Sequence, residues 1–359
     1  MPIAIPDPFL YAEIGGTRHA VIGSLEIPRL RELGAIELHP PEEFGLDELI
    51  DTGLSHDQVL EEIYVRAVQG LGVGDAVVPP TFPLQLADRI RADGVELTPD
   101  RDLFAGRRRV KNEHELAGVR RAQHAAEAGM RAAAELLRRA APSGESVLLD
   151  GESLTAERIK VAIDEAFIAN GCTGDEFIVS HGAQSAIGHH MGAGPLKPDE
   201  PIVIDIWPRD KESACFADMT RTFVVGRPPA DLVAWHRLCK EALDRAISEI
   251  EPGANGRAIY DGTCEIFEAA GYPTQRTKRP GETLEDGFFH GLGHGVGLEV
   301  HEDPTMGLLG QDELVAGDVV TVEPGLYRPG FGGCRLEDLV LVTKDGAENL
   351  TDFPYDLTL

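Results

Sequence analysis

The sequence predicts an α+β protein in two domains, and three observations predict it. Its 359 residues exceed what one hydrophobic core usually serves. Strand-like runs alternate with helix-period segments over the first part of the chain, the pattern of a small α/β domain. Beyond residue 111 the order changes to long helices followed by strand-rich, glycine-rich stretches, which happens twice. The domains expected are therefore 1–107, α/β, and 108–359, α+β.

Residues 8–22, FLYAEIGGTRHAVIG, read as two short strands joined by a Gly-Gly turn. A short helix follows Pro28, and Ala35–Leu38 is strand-like. Helical periodicity returns over His56–Val68, then comes a strand at Asp75–Val78 and a helix at Pro83–Ala92. Residues 98–110, TPDRDLFAGRRRV, are polar and read as irregular, so the boundary falls there. Asn112 with Glu115 forms a capping-box pattern, opening a helix that runs to Ala141 and stops at Pro142-Ser143-Gly144. Leu154–Asn170 fits a second helix with Ile159, Ile163 and Phe167 on one side. Strands are expected at Phe177–Ser180, Pro201–Ile206 and Thr220–Val225, helices at Ala230–Ile250 and Arg257–Ala270, and strands again from Gly287 onward.

Composition excludes several classes of function. The net charge is −28 with no basic block, which argues against nucleic acid and anionic membranes as partners. No apolar run approaches the eighteen or so residues of a membrane span. The N-terminal stretch MPIAIPDPFLYAEI lacks the basic and apolar regions of a signal peptide. Five scattered cysteines without a CxxC read as reduced thiols, so a cytoplasmic protein is expected.

The chemistry concentrates in His290–Glu302, HGLGHGVGLEVHE, where three histidines lie among glycines. Glycine at 291, 293, 295 and 297 argues against a long helix and for a backbone that bends or approaches something closely. Gly293 and Gly295 strip bulk from both sides of His294, as a ligand in a tight cavity needs; a solvated turn is the bland alternative. Asp205 sits inside PIVIDIW, too apolar for a surface strand, and a bare buried carboxylate costs several kcal/mol (~3 or more). Asp218 stands in FADMTRTFVV with Arg221 as an available ion-pair partner. Glu323 in VVTVEPG and Glu337 in GCRLEDLVLV enter or leave apolar strands, and Arg335 could pair with the second. Four carboxylates brought together without cations would repel, and some would stay protonated. Two divalent ions would balance them and make a water between them easier to deprotonate. Oxygen-rich ligation with one imidazole suits Mn²⁺, Co²⁺ or Fe²⁺, with Zn²⁺ as a further option.

DMTRTF, GHGVGLEVHEDP, TVEPGLY and RLED resemble, in order, the motifs of the pita-bread metallopeptidases, which include Xaa-Pro dipeptidase (prolidase), aminopeptidase P and methionine aminopeptidase. RRRVKNEHELAGVRRA resembles the start of the catalytic domain that follows the N-terminal domain of prolidases and aminopeptidases P. The resemblance implies a pita-bread domain behind a creatinase-like N-terminal domain. It also implies an exopeptidase, aminopeptidase P-like or prolidase-like, that cuts after an N-terminal residue, by preference before proline. The implied metal ligands are Asp205, Asp218, His294, Glu323 and Glu337, holding two divalent ions, manganese first among them. Glu323 would also shuttle protons, and His301, in the GLxxHE motif, would bind substrate and steady the tetrahedral intermediate. SAIGHH resembles the family's SALPH segment, so His189 would contact substrate, with His190 as the fallback. His290 would line the substrate pocket, and Arg335 would brace the metal-binding acids. By analogy alone, the partners implied are a peptide substrate and a second copy of the chain as a homodimer.

The pattern departs from prolidases in four places. The Asp205–Asp218 segment is two residues longer, Trp207 replaces a glycine, and Gly188 replaces the proline before the histidine. Thr305 follows HEDP where prolidases carry an arginine for the substrate's terminal carboxylate. Two other readings stay open at this point: a metal-free, creatinase-like amidinohydrolase and a non-catalytic peptide-binding relative. Both branches lack the need for five intact ligand positions.

Overall fold

The computed structural model describes residues 5–359; residues 1–4, which open the expected 1–107 domain, lie outside the described residues. The chain divides into two compact units, one through Ala105 and one from Gly106.

In the first unit, Leu10–Ile14 and Thr17–Val21 pair antiparallel around Gly15 and Gly16. Both glycines have positive φ (57° and 87°), as a two-residue hairpin turn of this hand requires. Thr17–Val21 also pairs, in parallel, with Glu37–His39. A separate parallel ladder joins Asp75–Val78 to Glu96–Pro99. The helix His56–Gly70 opens on a capping box between Ser55 and Gln58. Together with Leu84–Ala92 it closes an apolar cluster that includes Val65, Leu86, Ile90 and Leu97.

The reading of 98–110 as irregular is overturned, because Arg101–Arg109 is helical. The helix buries none of its residues, so it carries no apolar stripe for periodicity to reveal. Its support is polar. Asp100 accepts a hydrogen bond from the Leu103 amide (2.9 Å), and Arg107, Arg108 and Arg109 oppose the negative end of the helix dipole.

The second unit contains two helix-pair-on-sheet halves. In the first half, Glu113–Arg139 and Ala156–Ala169 pack on a sheet ordered Ile178–His181, Ile202–Ile206, Met219–Phe223, with antiparallel neighbours. The long helix presents Ala122, Ala125, Ala126 and Ala133 to this core, and Gly129 lets Phe167 approach. A Cβ at Gly129 would stand 2.8 Å from the Phe167 ring. Burial of Phe167 contributes roughly 1.5–3 kcal/mol. The expected Asn112–Glu115 capping box opens this helix.

In the second half, Ala230–Ser248 and Gly256–Ala269 pack on a five-stranded sheet. Its order is Glu302–Met306, Gly293–Gly295, Val319–Val322, Asp338–Thr343, Gly346–Asn349. Trp235, Phe267, Phe288 and Val340 fill the core between them. A bridge between Thr220 and Glu337 links the two sheets, with the Glu337 amide donating to the Thr220 carbonyl at 3.0 Å. Ile206 faces Met219 at one end of the first sheet, and Val322 faces Asp338 at one end of the second. Asp218, Glu323 and Glu337 each lie one residue past those final pairs. Ladder geometry thus delivers them to one place.

Candidate metal centre

A cavity of about 660 Å³ opens where those strand ends meet. Asp205, Asp218, His294, Glu323 and Glu337 all line it, and so do His189, His290, His301 and Arg335. One ligand atom each from Asp218, His294 and Glu337 lies within 4.8 Å of the others. His294 Nε2 is 3.8 Å from Asp218 Oδ2 and 3.7 Å from Glu323 Oε1.

The strand Gly293–Gly295 reaches this place because its glycines let neighbouring strands close in. A Cβ at Gly293 would stand 2.0 Å from the Thr321 carbonyl oxygen, and one at Gly295 would stand 2.3 Å from that of Asp303. The bulk removed around His294 therefore makes room for backbone. The expectation of space cleared for the imidazole itself is corrected on this point. A register shift between His294 and Gly295 sits at the same spot.

The donor set fits divalent cations. His294 Nδ1 donates to the Gly295 carbonyl at 3.1 Å, which leaves the Nε2 lone pair facing two carboxylates. Burial, with His301 beside it, pushes the His294 pKa down to about 4, so the ring is neutral near pH 7. Asp218 Oδ1 is buried with no hydrogen-bond partner. Burial, then Glu337 and Asp205, raises the Asp218 pKa well above the usual carboxylate range. Glu337 is raised in the same way by burial, Asp205 and Glu323. Burial pushes Glu323 up to about 8, with Arg335 opposing the shift. A lone pair and an orphaned carboxylate oxygen converging among four acids form a site with more negative than positive groups, which divalent cations would balance.

Among the described residues, Arg335 is the one guanidinium lining this cavity. It hydrogen-bonds Asp205 through Nη2, Thr220 Oγ1 through Nε (3.3 Å) and the Tyr327 hydroxyl through Nη1 (2.7 Å). The suggested Arg335–Glu337 pair does not form; Glu337 instead accepts from Thr220 Oγ1 at 2.7 Å. Nor does Arg221 pair with Asp218. Its side chain points to the other face of the sheet and meets Asp338 at 2.9 Å. His290 Nδ1 donates to the Gly291 carbonyl at 2.7 Å, so Nε2 accepts from the Tyr327 hydroxyl at 2.9 Å. Burial and then Arg335 hold His290 down at about 3, so it too is neutral. The His301 ring lies 4.3 Å from that of His294, centroid to centroid. His189 faces the cavity, whereas His190 accepts from the Gly192 amide (3.0 Å) and does not line it.

Sequence reasoning missed Tyr327, which couples Arg335 to His290. The signal was present: a tyrosine two residues after Pro324-Gly325, in a short strand whose preceding residue is the buried Leu326. It also missed Glu176, Met191, Phe289 and Val300, which form part of the wall, and read Trp207 only as a departure from the family pattern. These come from loops and strand ends where no periodicity marks a pocket.

A profile of metallopeptidase family M24 matches residues 117–344, well over half of the chain. The chain belongs to metallopeptidase family M24. It is 30% identical over 336 residues to the probable dipeptidase PepE of Mycobacterium tuberculosis, across 92% of this chain and 81% of that one. With the Xaa-Pro dipeptidase of Pyrococcus furiosus it shares 34% identity over 181 residues, spanning 50% of this chain and 48% of that relative. The structure of an Xaa-Pro dipeptidase from Bacillus anthracis superposes with a TM-score of 0.79 at 22% identity, covering 99% and 90% of the two chains. The M24 chain has the pita-bread fold and is a metallopeptidase, a hydrolase acting on peptides. Among the described residues, no helix is long and apolar enough to cross a membrane.

Proposed function

We propose that this M24 peptidase is a two-metal exopeptidase that hydrolyses the bond after an N-terminal residue, with proline preferred on the far side of that bond. The observation that carries the reading is the convergence of Asp205, Asp218, His294, Glu323 and Glu337 on one cavity. In this reading the five hold two divalent ions, Mn²⁺ before Co²⁺, Fe²⁺ or Zn²⁺ given one imidazole among carboxylates. Bound there, the ions would supply the charge that polarises a scissile carbonyl and acidifies water.

The chain's own residues take the remaining parts. Glu323, at the rim of the acid cluster, accepts a proton from the attacking water and returns it to the leaving nitrogen. His301 and His189 line the same cavity and present ring nitrogens to the substrate carbonyl as charge develops on it. Arg335 fixes Asp205 and, through Tyr327, the tautomer of His290. His290 then offers a neutral wall to the substrate. The N-terminal unit is a creatinase-like domain in this reading, and the five unpaired, buried cysteines support a reducing compartment, the cytoplasm.

Hydrolysis of Ala-Pro beside Ala-Pro-Ala by Mn²⁺-loaded protein tests the proposal. Thr305 cannot supply the ion pair that a guanidinium gives a terminal carboxylate, so the tripeptide should be cut faster. Faster cleavage of the dipeptide would assign prolidase specificity. Cleavage of neither, with metal bound, would sink the proline preference.

A further inference from the structure

The N-terminal unit carries a second cluster of ligand-bearing side chains, far removed in character from the acid-rich cavity. His19 pairs with Glu37 across the parallel ladder, and His39 is two residues further along on the same face. His19 Nδ1 lies 3.1 Å from His39 Nε2 and 3.4 Å from Glu37 Oε2. One donor atom from each of the three sits within 4.8 Å of the others.

We propose that His19, Glu37 and His39 form a zinc-class metal site with three protein ligands and an open fourth position. Zn–N bonds of about 2.0–2.1 Å at a tetrahedral angle place two imidazole nitrogens about 3.3 Å apart, close to the separation here. The outer contacts are those of a ligating histidine. His39 Nδ1 lies 2.8 Å from Glu43 Oε2, and a carboxylate can only accept, so Nδ1 carries the proton and Nε2 is left as donor to a metal. Without an ion, the 3.1 Å contact between the two rings rests on one shared proton, and Glu37 approaches His19 Nδ1 only at 3.4 Å. A divalent cation engages all three at once.

Two imidazoles with one carboxylate select zinc, nickel or copper over magnesium or calcium. The histidine side chains are 12% and 17% exposed, whereas that of Glu37 is 63% exposed, so the site is open to solvent on the carboxylate side. An ion bound there would clip the three-residue strand Glu37–His39 to its neighbour.

The experiment is equilibrium dialysis of the 359-residue chain against Zn²⁺, with zinc per chain read by elemental analysis. The variants H19Q, H39Q and E43Q are compared with wild type. H19Q and H39Q should each bind one zinc fewer per chain, with unchanged circular dichroism and unchanged Mn²⁺-dependent peptide hydrolysis. E43Q should keep the ion but bind it about 10–100-fold more weakly, because His39 loses its orienting partner. Equal zinc content and affinity in H19Q, H39Q and wild type would overturn the site. Wild-type affinity in E43Q would overturn the role given to Glu43.

Discussion

Glu337 and Asp338 are neighbours in the chain, both are buried, and their surroundings could hardly differ more. Asp338 accepts from Arg221 (2.9 Å), Asn349 (2.6 Å) and the Tyr355 hydroxyl (2.5 Å). Arg221 in turn spends its remaining donors on the carbonyls of Thr220, Glu337, Phe353 and Pro354. Every charge on that face of the strand is answered inside the protein. On the opposite face Glu337 shares its space with Asp205, Asp218 and Glu323, against the single guanidinium of Arg335. A buried charge whose partners are all protein groups holds the fold together. Buried charges left over are there for something that binds.

The largest effect expected is on turnover, at the unanswered face. Glu323→Gln keeps the side chain's shape while removing both a charge and a proton acceptor. It should lower kcat by about a thousandfold. Because the metal-free site already disfavours the ionised form, the metal-free variant should melt no lower than wild type. Turnover within tenfold of wild type would contradict both roles proposed for Glu323.

Next in size is the answered face. Asp338→Ala leaves Arg221 charged and buried without its partner, which should cost about 3–5 kcal/mol in urea unfolding of the metal-free protein. Glu337→Gln, one residue away, should cost less than about 1 kcal/mol under the same conditions, since Thr220 can still donate to the amide oxygen. Equal losses in the two variants would erase the distinction between the faces.

Arg335 belongs to both categories, since it is held by Tyr327 and Thr220 yet serves the acids. Arg335→Ala should weaken metal retention about 10–100-fold, measured by competition with a chelator. Tyr327→Phe should leave metal affinity within about threefold, since Thr220 and Asp205 still hold Arg335, but raise KM, because His290 loses the hydroxyl that orients it. Wild-type metal affinity in the arginine variant would remove it from the support of Asp205.

Much of this contrast was legible in the sequence, and the reason is physical. An acid inside PIVIDIW or VVTVEPG violates the pattern of its own strand, so Asp205 and Glu323 announce themselves. The long helices were legible too, because the capping box at Asn112 and the apolar stripe of Ile159, Ile163 and Phe167 are local signals. Pairing across the fold was not. Arg221 lies three residues from Asp218 in the chain, yet strand alternation around it sends the guanidinium to Asp338, 117 residues away. Arg335 likewise reaches back 130 residues to Asp205 and passes over Glu337 beside it. Sequence proximity picks the wrong partner in both cases because a β-ladder, not chain distance, decides what meets. Arg101–Arg109 escaped for the opposite reason, having no buried face to impose a period.

A smaller test places the same distinction on a partly exposed pair. Asp210 accepts from Arg121 (2.8 and 3.1 Å) and from both the amide and the hydroxyl of Ser213 (2.7 and 2.6 Å). This corner packs so closely on the long helix that a Cβ at Gly118 would stand 1.9 Å from the Ser213 hydroxyl. Burial opposes ionisation of Asp210, but the bonds from Arg121 and Ser213 outweigh it and hold the carboxyl below its ordinary value. A carboxyl lowered on folding contributes stability that is complete above its unfolded pKa, about 3.9, and is lost as the pH falls through the folded value. Asp210→Asn should therefore cost about 1–2 kcal/mol at pH 7, with the gap to wild type closing below pH about 4. Arg121 is 39% exposed, and solvent screening keeps the effect at that modest level. A gap that stayed constant from pH 7 down to the acid transition would mean that packing at this corner, rather than the charge on Asp210, supplies the stability.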